Sequence, residues 1–271
     1  GIPVGIVDAS WGGTNIDAWT PRCGYENCDP SIQATADYKV KAGNDWKAEK
    51  DRQGPVGGPH QQPTVLWNGM VDAFAPMAMR GFIWYQGCSN VGKHEQFVER
   101  MTNMVNHWRE CWNDKEAKLP FYMVEIAPYR YKSRDQVSYA SYLRQAQHEV
   151  AATVPNCGIV VTNDLVETYE KDNIHPAKKR QVGERLAYWA LNRNYGFSRV
   201  ACESPRAIKC TPMSNGAEIC VELTNCHNGL NRWMEIEGLE VAGSDGVFYP
   251  VTYAYFEWKP KVLRVRSEFV H

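Results

Sequence analysis

The sequence predicts an α/β protein with a mostly parallel sheet, followed by a small β-rich domain. Short apolar runs alternate with segments whose apolar residues recur every three or four positions, a pattern typical of βαβ units. After about residue 198 this pattern is replaced by short alternating segments separated by turn residues. We therefore assign residues 1–198 to a first domain and residues 199–271 to a second, β-rich domain.

The elements of the first domain follow from these patterns in order along the chain. Short apolar runs predict strands at residues 1–10, 80–87, 119–128 and 157–164. Helical spacing predicts helices at residues 65–79, 95–113, 141–154 and 178–196, the last ending at Gly196. The polar stretch 21–63 is interpreted as a surface excursion with one helix near residues 32–50. In the second domain we expect strands within residues 217–223, 234–243, 247–258 and 261–267.

The composition excludes several classes of partner. The 271 residues contain 30 Lys and Arg against 31 Asp and Glu, so the formal net charge is -1 and we expect no nucleic-acid partner. We also expect no membrane span, because no window approaches about 18 consecutive apolar residues. The sequence has no signal-peptide pattern and begins with Gly1 beside an apolar run, so we expect a processed product or a fragment.

The nine cysteines do not show the spacing of a metal site. There is no C-x-x-C pair, which argues against a zinc ribbon or a thioredoxin-like motif, and we expect no metal. A disulfide between Cys23 and Cys28, or among the four cysteines after residue 201, is possible in an exported protein. The odd number leaves at least one thiol free or intermolecular.

A possible base and its orienting carboxylate follow the last predicted strand of the first domain. In parallel α/β sheets, ligands bind at the carboxyl ends of the strands. Asp172 and His175 lie in such a loop, and a carboxylate bonded to one imidazole nitrogen would prepare the other to accept a proton from a hydroxyl nucleophile. The alternative is that His175 merely begins a helix and that Asp172 is a solvated loop residue.

Candidate oxyanion donors follow the first two predicted strands. Gly12 and Gly13 could present backbone N–H groups, and Gln86 could add a side-chain donor. The alternatives are a tight turn for the glycines and a strand-end cap for Gln86. We expect Asn90 to order its own loop. Nearby aromatic residues could stack on sugar rings, although core packing explains most of them equally well: Trp11, Trp19, Trp67, Trp84 and Tyr85.

Three motifs together resemble the sialate O-acetylesterases, a branch of the SGNH hydrolase superfamily: "GIPVGIVDASWGGTNIDAWTP", "GFIWYQGCSN" and "DNIHPAKKRQVGERLA". The resemblance implies a three-layer α/β/α flavodoxin-like fold and hydrolysis of O-acetyl esters of sialic acid by a serine nucleophile, without metal or organic cofactor. It also implies that His175 is the general base, that Asp172 orients it, and that Gly12 or Gly13 acts with Gln86 at the oxyanion. Acetylated sialic acid or a related glycan is the implied partner, and an extracytoplasmic location is implied as well.

The sequence departs from the family pattern at two places. Cys88 stands where the family usually has a glutamate, and the family's Gly-Gln-Ser-Asn nucleophile block does not occur in the chain. Ser10, Ser89 and Cys88 are candidate nucleophiles without the expected context, so we expect the catalytic serine outside these residues, on an N-terminal segment. A non-catalytic glycan-binding protein and an acetylesterase for plant polysaccharide remain alternatives, and the oligomeric state is open.

Overall fold

The chain divides into two compact units, Gly1–Cys202 and Glu203–His271. The computed structural model describes residues 3–26, 28–34, 58–131, 139–213, 218–226, 229–230, 236, 238–259 and 261–270. The functional assignment of the two predicted domains stays a prediction.

Three parallel strands form the sheet of the first unit. They are β1 (Phe82–Trp84), β2 (Phe121–Val124) and β3 (Cys157–Val160), with β2 in the centre. Phe82 pairs with Phe121, which in turn pairs with Cys157. All four residues of β2 are buried, as expected for a parallel strand covered on both faces. The predicted parallel sheet is confirmed.

Helices cover both faces of this sheet. They are α1 (Phe97–Cys111), α2 (Tyr139–Thr153) and α3 (Lys179–Arg193). Phe121 and Met123 point into the core that contains the buried residues of α1 and α2, whereas Tyr122 and Val124 point into a second core with residues of α3. This alternation follows from the two-residue period of a strand. The result is the expected α/β/α layering.

Most of the aromatic residues near the predicted loops belong to the core. Trp19, Trp67 and Trp84 are buried in the cluster between the sheet and α1. The Trp19 and Trp84 rings meet edge to face with centroids 5.8 Å apart. Trp11 and Tyr85 are exposed instead. Core packing therefore explains the first three, and only the last two are available to a ligand.

One predicted element of the first unit is wrong, and another is shorter than predicted. The described residues 3–10 form no strand, and Val4 and Ile6 are 83% and 82% exposed. Their apolar pattern is that of a buried strand, but a strand needs a hydrogen-bonded neighbour, and none pairs with them. The predicted helix 65–79 is confirmed over residues 65–74, which are continuously helical and include Trp67–Val71 and Asp72–Phe74; the helical stretch ends before Pro76. Most of the predicted helix 32–50 lies outside the described residues.

The second unit is β-rich, as predicted. Its strands are β4 (Arg206–Pro212), β5 (Ile219–Thr224), β6 (Glu240–Ala242), β7 (Phe248–Pro250), β8 (Tyr253–Glu257) and β9 (Val262–Arg266). An antiparallel sheet has the order β4-β5-β9-β8, and β6 pairs with β7. The sequence pattern did not predict β4, because this edge strand has mostly exposed side chains and lacks a clear apolar alternation.

The structure also bears on the predicted disulfide and on the predicted absence of a membrane span. Cys23 and Cys28 lie in described residues and both are free thiols, so the disulfide considered between them is not formed. Within the described ranges, no helix has both the length and the apolar character needed to cross a bilayer.

Gly87, directly after β1, supports a stability prediction. Its φ is +149°, and a Cβ there would lie 2.6 Å from Ile126 Cγ2 and 2.9 Å from Gln147 Nε2. We expect Gly87→Ala to lower the free energy of unfolding of the first unit by about 2–4 kcal/mol, because it adds a clash to a strained backbone. Chemical denaturation followed by tryptophan fluorescence measures this.

Gly183 provides the matched control. It lies within α3, and a Cβ there would meet no atom within 4 Å. Gly183→Ala should raise stability by up to about 1 kcal/mol, since Ala is the better helix former. Equal stability of the two variants would contradict the proposed packing around Gly87.

Candidate active site

A buried glutamine on α2 holds the ends of two strands together. Gln147 accepts a hydrogen bond from the Ile126 N–H at 3.0 Å and donates one to the Gln86 carbonyl at 3.1 Å. Its side chain is fully buried. Because Gln86 follows β1 and Ile126 follows β2, this single amide fixes the carboxyl edge of the sheet, where ligands bind in parallel α/β folds.

Gln86 and Asn90 form a second amide network at the same edge. Gln86 Nε2 donates to the Thr14 carbonyl at 2.9 Å and to Asn90 Oδ1 at 2.6 Å. Asn90 Oδ1 also accepts from the Ile16 N–H at 3.1 Å. Both amide protons of Gln86 are therefore engaged, and Asn90 orders the loop, in line with its expected role. The oxyanion role of Gln86 stays a prediction.

The Gly12–Gly13 turn presents free backbone donors. Within the described residues, neither glycine N–H has an acceptor. Gly13 has φ +72° and its carbonyl accepts a hydrogen bond from Gln61 Nε2 at 2.9 Å. Both residues are exposed. This arrangement leaves the two N–H groups available to an anion, as an oxyanion role requires.

Asp172 and His175 lie in the loop that leads to α3, but they are not bonded to each other in the described structure. Asp172 Oδ1 lies 3.6 Å from Arg130 Nη1, and its side chain is 66% exposed. The His175 N–H donates to Asn173 Oδ1 at 3.0 Å, and among the described residues its exposed ring has no hydrogen-bond partner. The structure thus places both groups in one loop without forming the predicted pair.

Glu170 organises this loop, and sequence reasoning missed it. Its carboxylate accepts hydrogen bonds from the Ala177 N–H at 2.8 Å and from the Glu167 N–H at 3.1 Å, so it joins the two ends of the loop that carries His175. Its carbonyl also accepts from the Asn173 N–H at 2.6 Å. The bond to Ala177 lowers the pKa of the Glu170 carboxyl, and the bond to Glu167 lowers it further. The capping box between Glu167 and Glu170, three residues apart, is the signal that could have revealed it.

Glu125, directly after β2, was also missed. It is buried, and its carboxylate accepts a hydrogen bond from the Thr162 N–H at 3.1 Å. His148 Nε2 lies 2.8 Å from the other carboxylate oxygen. The Glu125 side chain therefore links the end of β2 to the loop after β3.

Two of the candidate nucleophiles, Ser10 and Ser89, have no activating partner among the described residues. Ser10 and Ser89 are exposed, and within the described residues neither hydroxyl has a hydrogen bond. A nucleophilic serine needs an adjacent base. In the part of the chain that the structure describes, no group of three or more His, Cys, Asp or Glu side chains could hold a metal ion.

Comparison with known families identifies the chain. Residues 56–192, just over half of it, match the family model described as "SASA: Carbohydrate esterase, sialic acid-specific acetylesterase". The chain belongs to this acetylesterase family. The resemblance to sialate O-acetylesterases is confirmed, and the matched residues include Gln86, Asp172 and His175.

Similar proteins within and near this acetylesterase family are longer. Sialate O-acetylesterase of Mus musculus is 27% identical over 227 residues, covering 75% of this chain and 41% of the relative. The Homo sapiens protein of that name is 26% identical over 217 residues, with 75% and 38% covered. The chain thus spans about two fifths of these relatives. The crystal structure of a novel carbohydrate acetylesterase from Xanthomonas citri superimposes with a TM-score of 0.74 at 26% identity, over 98% of this chain and 53% of that one.

Cys88 stands where we expected a glutamate from the family resemblance, and its thiol lies near two tyrosines. Burial raises the pKa of the Tyr131 hydroxyl, and the adjacent Cys88 thiol raises it further. Burial also raises the pKa of Tyr85 to about 12. Lys179 Nζ lies 4.8 Å from the centroid of the Tyr85 ring. Cys88 therefore lies beside two phenols, those of Tyr131 and Tyr85.

Glu170→Gln should loosen the loop that carries Asp172 and His175. A glutamine has one acceptor oxygen, so it cannot satisfy both the Ala177 and Glu167 N–H groups. We expect amide hydrogen exchange at residues 167–177 to accelerate about tenfold, measured by mass spectrometry. Glu184→Gln, at a surface ion pair on α3, is the control and should leave this loop unchanged. Unchanged amide hydrogen exchange at residues 167–177 in Glu170→Gln would contradict the role of the Glu170 carboxylate in holding this loop.

The Arg185–Asp164 pair should make stability depend on pH. Arg185 bonds both carboxylate oxygens of Asp164, at 2.8 and 2.5 Å, and these bonds hold the pKa of Asp164 below its ordinary value. The stabilisation is thus present above the unfolded pKa of about 3.9 and is lost as the pH falls through the lower folded value. Because the carboxylate is half exposed, we expect about 1 kcal/mol from it.

Asp164→Asn tests this pH dependence by chemical denaturation. The variant should be less stable than the wild type at pH 7. The difference should shrink as the pH falls below the unfolded pKa of about 3.9 and through the lower folded value, where the wild-type carboxylate also becomes protonated. Glu116→Gln, at the exposed pair with Lys118, is the control with little difference at either pH. A constant difference for Asp164→Asn would contradict the ion pair as its cause.

Proposed function

We propose that this chain is the catalytic part of a carbohydrate O-acetylesterase, which hydrolyses O-acetyl esters on glycans. The observation that carries the proposal is the family match over residues 56–192, which contains Gln86 and the loop with Asp172 and His175. Acetylated sialic acid, named in the family description, is the first substrate to test. An extracytoplasmic location belongs to the proposal, because such glycans are met outside the cytoplasm.

In the proposed mechanism, His175 is the general base and Asp172 orients it. Asp172 must exchange Arg130 for His175 as its partner. Both members of the Arg130–Asp172 pair are about two-thirds exposed, at 68% and 66%, and exposed pairs contribute only about 0–1 kcal/mol. The exchange therefore costs little. The His175 ring, without a partner among the described residues, is free to turn toward Asp172.

The free N–H groups of Gly12 and Gly13 are the proposed oxyanion donors. Negative charge develops on the acetyl carbonyl oxygen when a nucleophile attacks, and backbone donors that need no rearrangement stabilise it most effectively. Gln86 can join them only if its amide gives up one of its two present bonds, to Thr14 or to Asn90. Gln86 thus both positions the loop and supplies a third donor.

The nucleophile of the proposed reaction is the hydroxyl of a serine that is not among the described candidates Ser10 and Ser89. Its oxygen attacks the acetyl carbon while His175 takes its proton. The sugar oxygen then leaves with that proton, so an acetyl-serine forms and the free glycan is released. Water, deprotonated by His175, hydrolyses the acetyl-serine to acetate. No metal or organic cofactor takes part in these steps.

A non-catalytic glycan-binding protein is the second candidate. It is favoured by one observation, namely that Asp172 contacts Arg130 rather than His175 in the described structure. Such a protein would bind acetylated glycans at the same loops and release no acetate.

His175→Ala tests the proposed base. In the complete protein, we expect acetate release from acetylated sialic acid to fall by about 10³-fold or more, since the nucleophile loses its proton acceptor. The matched control is Tyr169→Ala, in the same loop, because that side chain is 83% exposed and has no role in the mechanism; its rate should stay within about threefold of the wild type.

Two outcomes would reject parts of this proposal. A near wild-type rate for His175→Ala would remove His175 from the mechanism. A wild-type protein that binds acetylated sialic acid without releasing acetate would favour the glycan-binding alternative.

A further inference from the structure

One side chain holds the peptide group that carries the Gly12 N–H. The Thr14 hydroxyl donates a hydrogen bond to the Trp11 carbonyl at 2.9 Å. That carbonyl and the Gly12 N–H belong to the same peptide group, which is trans, so the two point in opposite directions. Fixing the carbonyl oxygen of Trp11 therefore fixes the direction of the Gly12 N–H.

A buried tryptophan determines where the Thr14 hydroxyl places its proton. Trp19 Nε1 donates to Thr14 Oγ1 at 2.9 Å, and both side chains are buried. Because an indole N–H can only donate, the Thr14 oxygen is the acceptor in this bond, and its own proton remains for the Trp11 carbonyl. The three groups form a relay that runs from the indole N–H through the hydroxyl to the carbonyl.

The relay begins in the core of the first unit. The Trp19 ring packs edge to face on Trp84 of β1, and the Trp19 carbonyl accepts a hydrogen bond from Trp108 Nε1 on α1 at 3.0 Å. Its other end is the exposed Gly12–Gly13 turn. A well-packed indole therefore supports a backbone group at the surface.

Two other carbonyls of the turn are held by glutamine side chains. Gln61 Nε2 donates to the Gly13 carbonyl at 2.9 Å, and Gln86 Nε2 donates to the Thr14 carbonyl at 2.9 Å. Neither of these carbonyls shares a peptide group with the Gly12 N–H or the Gly13 N–H. Among the bonds described for this turn, the Thr14 hydroxyl bond is the one that acts directly on a proposed oxyanion donor.

The Thr14 bond also affects the strength of that donor. A carbonyl that accepts a hydrogen bond becomes more polarised, and the N–H of the same peptide group then becomes a stronger donor. The relay provides this polarisation before any substrate is present. Donors that are already oriented stabilise developing negative charge most effectively, because they need no rearrangement during the reaction.

We propose that Thr14 is a positioning residue of the esterase, which orients and polarises the Gly12 N–H for the oxyanion by way of the Trp11 carbonyl. The inference rests on the proposed function, since an oxyanion forms only if the protein hydrolyses an ester. Thr14 acts through the backbone and is not itself a catalytic residue. Its contribution should therefore appear in the transition state and not in substrate binding.

Thr14→Val removes the hydroxyl and keeps the shape of the side chain. In the complete protein, kcat for acetate release from acetylated sialic acid should fall about tenfold while KM stays within about twofold of the wild type. Thr14→Ser, which keeps the hydroxyl, should recover most of that loss. Trp19→Phe keeps an aromatic ring without the N–H and should lower kcat by a smaller factor, so it remains as a test if Thr14→Val does not fold.

Thr20→Val is the matched control. Thr20 is also a buried threonine, and its hydroxyl donates to the Ile16 carbonyl at 3.1 Å. The substitution removes the same group at similar burial without affecting the Trp11–Gly12 peptide group. Its kcat should stay within about twofold of the wild type.

The peptide group itself can be observed without catalysis by nuclear magnetic resonance. Trp11–Gly12 is the one Trp-Gly pair in the 271 residues, so ¹³C-labelled Trp carbonyls and ¹⁵N-labelled Gly amides select it. Gly12→Ala, whose Cβ would meet no atom within 4 Å, identifies the signal by its loss. Thr14→Val should move the Trp11 ¹³C and Gly12 ¹⁵N resonances to lower frequency, because the carbonyl loses its donor, and Thr20→Val should leave both in place.

The two measurements separate this inference from the proposed function. Shifted resonances in Thr14→Val, in a protein whose wild type releases no acetate, would keep the action of Thr14 on Gly12 and reject the proposed esterase. Acetate release with an unchanged kcat in Thr14→Val, or with an equal loss in Thr20→Val, would overturn the inference. Unshifted resonances, or a higher KM at an unchanged kcat, would overturn it as well.

Discussion

Two buried amide side chains, Gln147 and Asn90, hold the carboxyl edge of the sheet together. Where parallel strands end, the backbone groups of the following residues lose their ladder partners, and buried groups without partners are costly. Gln147 supplies partners to Ile126 and to Gln86, and Asn90 supplies them to Ile16 and to the Gln86 amide. Gln86, one of the candidate oxyanion donors, is therefore positioned by two neighbouring amide side chains. The same crowding explains why residue 87 has to be a glycine.

The sequence predicted the central sheet and its three long helices because the central strand is buried on both faces and each helix buries part of its surface against the sheet. Their apolar residues repeat with a period that burial imposes, as in β2 and α1. Residues 3–10 have the same apolar character but no neighbouring strand in the described structure. The prediction failed here because apolar composition indicates a tendency to be buried and does not indicate whether a partner strand is present. β4 was missed for the opposite reason, since an exposed edge strand carries almost no apolar signal.

The sequence predicted the residues of the candidate site, but it did not predict their contacts. Motif and strand order placed Gly13, Gln86 and His175 at one edge of the sheet. The contact of Asp172 with Arg130 joins residues far apart in the chain, and no local pattern indicates it. The Gln86 side-chain amide donates two hydrogen bonds, to Thr14 and to Asn90. These bonds depend on the distance between two loops, which the spacing of residues in the sequence does not determine. Glu170 is an intermediate case, because its capping-box spacing is local and could have been recognised.

Asn90 has a consequence that goes beyond support of a loop. One oxygen of its side chain accepts two hydrogen bonds, from the Ile16 N–H and from Gln86 Nε2. Removing that single oxygen would leave both donors without this acceptor at once. The segment that begins at Ile16 and the Gln86 amide therefore depend on the same atom, so their positions are not independent of each other.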